Sequence, residues 1–304
     1  LRRGLHLGAL GDLRARCARE GLNLVLPVDC ARFDAAASAR GGLTLDAWWP
    51  GARAAVVIGD GGPAFFRGFT GRRADDAHAH PDDHDHDHDH RTPGGAAPAA
   101  PEPVAATGPL DAFTTARVLA IARAALGEAP GRWRVVFPFG PADGEPALPF
   151  QHLGMAAGLP APGPLGLQIH PTYGPWWAYR AALLSRLPFA DATGGDGAPA
   201  DEPLPDACAA CTGPCRSACP AGAVTRAGFV FEPCRARRLA EGSPCAHACV
   251  ARQACPVGVG HAYGAPQIAF HMEASLVSLR RGRAALPARQ PAGSGGAPTA
   301  RRGP

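Results

Sequence analysis

The chain has 304 residues, long enough for one large domain or two ordinary ones, and carries a net charge of only +4. Its 30 basic residues are all arginine, and so small a positive balance does not by itself argue for a nucleic-acid partner. No apolar run approaches the ~20 residues of a membrane span, so no membrane partner is expected.

In chain order, Leu10, Leu13 and Cys17 fall at helical spacing and predict an amphipathic helix over 8–20. The early arginines precede no continuous apolar core, so this start is not a signal peptide, and a cytoplasmic chain with reduced thiols is expected. The short apolar runs "LNLVLPV" (22–28) and "RAAVVIG" (53–59), bounded by turn residues, predict buried strands. Gly59, Gly61 and Gly62 in "IGDGG" lack the spacing of a dinucleotide fingerprint and predict a turn. Residues 75–108 have no apolar periodicity and are expected to form a solvated, disordered insertion, rich first in His and Asp and then in Pro and Ala.

Beyond it, "PLDAFTTARVLAIARAAL" (109–126) predicts a helix with Pro109 and Asp111 at its start. Further strands are expected at 132–139, in "LGLQIH" and in "WWAYRAALLS", with a short helix over 149–159. These elements make residues 1–190 an α/β domain. A linker follows at 191–207. A cysteine-rich module begins at 208 and extends through a helix at 263–279, expected to pack back on the body, to about residue 284. The Pro-, Gly- and Arg-rich tail 285–304 is expected to be disordered.

Eight of the 10 cysteines lie between 208 and 255. The first group is Cys208, Cys211, Cys215 and Cys219, the last followed by Pro220. The second is Cys234, Cys245, Cys249 and Cys255, followed by Pro256. This count and the closing Cys-Pro pairs match a bacterial ferredoxin with two 4Fe-4S clusters, in which the cysteine before proline reaches the other cluster. The crossing rule assigns Cys208, Cys211, Cys215 and Cys255 to one cluster and Cys219, Cys234, Cys245 and Cys249 to the other. Two structural zinc sites or a disulfide framework are the competing readings. Cys17 and Cys30 are expected to be buried core thiols.

An α/β domain, a linker and two four-cysteine sets together resemble the epoxyqueuosine reductase family. The closest local pieces are "MAAGL" (155–159), Gly163 and "YGPW" (173–176). The resemblance implies a nitroreductase-like, cobalamin-binding α/β domain joined to an α+β two-cluster ferredoxin domain, and a tRNA substrate. The family has a Trp and a Lys around the glycine where this chain has Pro160-Ala-Pro-Gly-Pro164. Its acid donor and Glu-Arg pair find only Asp143 and Glu145 nearby, so the resemblance is to a diverged member and no catalytic residue is assigned.

His78, His80, His84, His86, His88 and His90, mostly alternating with Asp, form a candidate secondary metal site, weighed against a tolerated low-complexity tract. His170, Tyr173, Trp176 and Trp177 suit either the lining of a cofactor pocket or a packed turn. His261 and His271 are expected to be surface or hydrogen-bonded core histidines. The leading expectation is an iron-sulfur electron-transfer protein serving a bound cofactor, a redox partner protein or a small-molecule substrate. A cobalamin-dependent oxidoreductase and a metal-handling protein are the alternatives.

Overall fold

The computed structural model describes residues 10–78, 108–128, 130–139, 146–189 and 203–280, without the side chains of 73–78. The tail, most of the 75–108 insertion, Asp143 and Glu145, and His80 to His90 lie outside the described residues.

The expected first helix is α1 (Leu10–Arg19), and Leu10, Leu13 and Cys17 are all fully buried along its one apolar stripe. Strand β1 (Leu24–Val28) pairs antiparallel with β2 (Ala54–Gly61). Helices α2 (Cys30–Ser38) and α3 (Leu45–Trp48) lie between them, capped by the side chains of Asp29 and Thr44. Helices α4 (Ala64–His78) and α5 (Pro109–Leu126) follow, then β3 (Trp133–Val136), α6 (Phe150–Ala156) and β4 (Trp177–Ser185).

The four strands form one mixed α/β layer in the order β1-β2-β4-β3, with every pair antiparallel. Successive side chains of a strand point to opposite faces. Val56, Ile58, Ala181 and Leu183 therefore meet α1, α4 and α5 on one face, while Ala55, Val57, Ala182 and Leu184 meet α2, α3 and α6 on the other. Helices on both faces explain why these strands read as continuous apolar runs instead of alternating ones. Pro27 fits inside β1 because β1 is an edge strand, where its missing N–H costs no ladder bond.

Three expectations need correction. Residues 75–78, expected to open the solvated insertion, continue α4. "LGLQIH" makes no strand: only His170 joins a ladder, as a single bridge to Gly174. The Gln168 side chain takes this segment out of sheet register, donating to the carbonyl of Pro160, and the Gln168 carbonyl accepts from the Trp177 indole. Gly59 and Gly61 are not in a turn but in the end of β2, beside a bulge at Ile58/Gly59, and the turn falls at Gly62 with φ +77°. The bulge has a physical reason, because a Cβ at Gly59 would strike the Ala178 carbonyl and one at Gly61 the ring of Tyr173.

The chain then enters short elements. Leu204 donates its backbone N–H to the Gly158 carbonyl and packs near Leu159 and Trp177. After it come α7 (Pro214–Ala218), a hairpin of β5 (Val224–Thr225) and β6 (Gly228–Phe229), α8 (Phe231–Leu239), α9 (Val250–Gln253) and α10 (Ala265–Arg280). As expected, α10 returns to the body, where Phe270 packs its ring against Phe66 and Phe69.

Candidate functional site

The cysteine module has little apolar core of its own, only Cys215, Val224 and Ala251 with a few half-buried neighbours. Most of its thiols sit at turns and helix ends, and of the eight only Cys215 and Cys255 are buried. Gly213, with φ +78°, and Pro214 start α7, so that Cys211 and Cys215 lie on either side of one tight turn. Within that turn the Gly213 N–H donates to the Cys211 sulfur at 3.4 Å. Cys219 ends α7, Cys234 lies within α8, Cys245 sits in the 3-10 turn 244–246, and Cys249 caps α9.

All ten cysteines are free thiols. Cys208, Cys211, Cys215 and Cys255 line one open cavity, together with Leu165, Ile169 and Arg216. Burial, then Asp206, then the other three thiols push Cys208 up to about 11. Burial is also the main cause raising Cys234, whose thiol neighbours are Cys249, Cys219 and Cys245. Burial raises Cys249 and Cys255 as well, each partly offset by a backbone N–H, from Arg252 and Val257 respectively. The eight thiols thus gather as four and four, with Cys255 beside the first group and Cys219 beside the second. Gathered thiols resist ionising next to one another, so a shared cationic centre is the chemical complement of each set. Among the described residues, no three His, Cys, Asp or Glu side chains converge as tightly as one metal ion requires.

Gly163 abuts the first set: a Cβ there would lie 2.9 Å from the Cys208 sulfur. Cys17 is fully buried, as expected, with its thiol pushed up to about 12 by burial. Cys30 is half-buried against α2 and β1, so it is a boundary thiol and not the fully buried one expected.

The His170–Trp177 segment forms a packed turn between the body and the cysteine module. His170 Nδ1 accepts from the backbone N–H groups of Thr172 and Tyr173. Tyr173 stacks edge-on to His261, with ring centroids 4.8 Å apart. Burial, then the nearby His261, lower the His170 pKa to about 4. This fixes the imidazole as a neutral acceptor.

Beside this turn lies a buried polar cluster that the sequence reading missed. Arg180 of β4 donates to Asp60 of β2, and both side chains are buried. Burial opposes the Arg180 charge, but Asp60 outweighs it and raises the Arg180 pKa. The Arg252 guanidinium lies 4.8 Å from the ring centre of Trp176 and 4.9 Å from that of Tyr263, and donates to the Pro175 carbonyl at 2.5 Å. Trp176, Arg252, Tyr263, His271 and Cys249 line a second, open cavity. Within it the Trp176 indole N–H, Arg252 Nε and His271 Nε2 have no hydrogen-bond partner. His271 is half-buried and not at the surface, and its Nε2 has no hydrogen-bond partner. It packs against Phe66, Phe270 and Tyr263, and burial followed by Arg180 and Arg252 lowers its pKa to about 4. A signal was present: Asp60 and Arg180 are lone opposite charges inside otherwise apolar strands.

No protein-family model matches the chain, and no curated protein matches its sequence. Among solved structures, epoxyqueuosine reductase from Streptococcus thermophilus aligns at 13% identity and a TM-score of 0.49, covering 83% of this chain and 67% of that one. A selenomethionine-labelled epoxyqueuosine reductase aligns at 14% identity and a TM-score of 0.47, covering 85% and 68%. The chain is similar to epoxyqueuosine reductases at a distance.

Proposed function

We propose that this chain is an iron-sulfur electron-transfer protein whose two thiol sets each hold a 4Fe-4S cluster. Cys208, Cys211, Cys215 and Cys255 would hold the first, and Cys219, Cys234, Cys245 and Cys249 the second. One observation carries the reading: the eight free thiols gather as four and four, with the cysteine before proline exchanged between the groups. That exchange is what two neighbouring cubanes require and two separate zinc ions do not. Clusters in these places supply one-electron steps. The chain's own groups shape those steps: backbone N–H groups of Gly213, Arg252 and Val257 face Cys211, Cys249 and Cys255, and Leu165 and Ile169 exclude water from the first set.

Iron and acid-labile sulfide, measured on anaerobically purified protein, should each approach ~8 per chain. About two zinc ions without sulfide would overturn the reading.

The chain's similarity to epoxyqueuosine reductases keeps a tRNA-directed oxidoreductase as the second reading, without a step assigned to it. Restoration of queuosine in a strain lacking the reductase would move that reading to first place.

A further inference from the structure

Two arginines flank the second thiol set, whereas an arginine and an aspartate flank the first. At the second set, Arg238 of α8 faces Cys234, Cys249 and Cys245 while its guanidinium donates to the carbonyls of Cys245 and Met272 and to the Ser275 hydroxyl. These three bonds hold the cation in place between α8 and α10. Arg252 shares a cavity with Cys249 and acts on its thiol, held by the Pro175 carbonyl and by the faces of Trp176 and Tyr263. At the first set an anion is anchored, because the Cys208 N–H donates to Asp206 at 2.8 Å and that carboxylate acts on the Cys208 thiol. Arg216 also lines the first cavity, its guanidinium held by the Thr212 carbonyl, so a cation offsets that anion.

We infer that the two clusters have unequal potentials, the second set holding the higher, and that Arg238, Arg252 and Asp206 set the order. The inference rests on the cluster reading above. Reduction adds one negative charge to a cluster, so nearby cations favour it and a nearby anion opposes it. Solvent acts in the same direction: all four thiols of the second set are only half-buried, whereas Cys215 and Cys255 of the first are buried. The backbone N–H groups act the other way, two of them facing sulfurs of the first set and one facing the second. Partial dipoles are outweighed by two whole charges. An electron supplied by an external one-electron donor therefore comes to rest on the second cluster, leaving the first oxidised. Arg252 also ties that potential to the docking of the module on the body, because its holding groups at Pro175 and Trp176 belong to the body.

The test is a redox titration of the full chain with both clusters loaded, using dithionite and mediators and read by EPR. Two one-electron waves are expected, and Cys234→Ser should remove the higher. Arg252→Gln and Arg238→Gln should each lower the higher wave alone by tenfold or more in the reduction equilibrium, ~59 mV for one electron. Arg252→Lys, which keeps the charge, should recover most of the loss, and Asp206→Asn should raise the lower wave. Loss of the lower wave in Cys234→Ser would overturn the inference, as would Gln variants that move neither wave or both alike. Iron-loaded protein with arginine-independent potentials would sink this inference alone, whereas protein without iron or sulfide would sink the cluster reading as well.

Discussion

Gly174 of the body and Gly258 of the cysteine module pass so closely that neither can carry a side chain. A Cβ on Gly174 would run into the Val257 carbonyl, and one on Gly258 into the Tyr173 carbonyl. Both residues have positive φ, +58° and +70°, where a side chain is strained even with room to spare. Backbone is thus packed directly on backbone, and this contact sets how the thiol sets approach the body.

Gly258→Ala should therefore loosen the module without altering any thiol. Left-handed strain alone costs ~1–3 kcal/mol, and the collision adds to it. Limited proteolysis should show faster cleavage around 203–260 than in the natural chain, with a lower melting temperature. An unchanged digestion pattern would mean that the two parts are held elsewhere.

Cys234 stands alone in sequence, yet its thiol neighbours are Cys219, Cys245 and Cys249. Cys234→Ser should reduce iron and sulfide from ~8 toward ~4 per chain, while the first set retains its cluster. Unaltered iron content would make Cys234 a spare thiol and break the assignment.

The Asp60–Arg180 pair is buried in the sheet, and removing one partner leaves the other charge uncompensated. Asp60→Asn should cost ~3–5 kcal/mol in chemical denaturation. The double change Asp60→Asn with Arg180→Met should cost less than the sum of the two single changes, because no lone charge remains. Additive losses would show that the two side chains do not act as a pair.

His170 and His271 both have pKa values lowered from 6.5 to about 4 in the folded chain. Between those pH values the unfolded chain binds more protons than the folded one, so stability is full above pH 6.5 and falls as pH drops toward 4. Each histidine accounts for up to ~3 kcal/mol of that loss. Denaturation midpoints measured across the window should fall steadily in the natural chain. His271→Phe, which cannot titrate, should flatten the slope, and an equally steep slope in that variant would assign the loss to other groups.

Much of the body was legible in the sequence because local rules govern it. The stripe of Leu10, Leu13 and Cys17 needed only helical spacing, and the apolar runs at 22–28 and 53–59 needed only burial on both faces to become β1 and β2. Short turns bring together thiols near in sequence, such as Cys208, Cys211 and Cys215, whereas Cys255 joins their cavity only through long-range folding. The partners of lone residues were not legible in the sequence. That Asp60 meets Arg180 across 120 positions depends on β2 lying beside β4, and the antiparallel order β1-β2-β4-β3 follows from no local pattern. His271 has no hydrogen-bond partner at Nε2 and Arg252 spans two parts of the chain only because α10 folds back onto Phe66 and Phe69. Local chemistry chose the elements and the thiols. Long-range packing alone decided which charges stand beside them, because a charge acts through space and not along the chain.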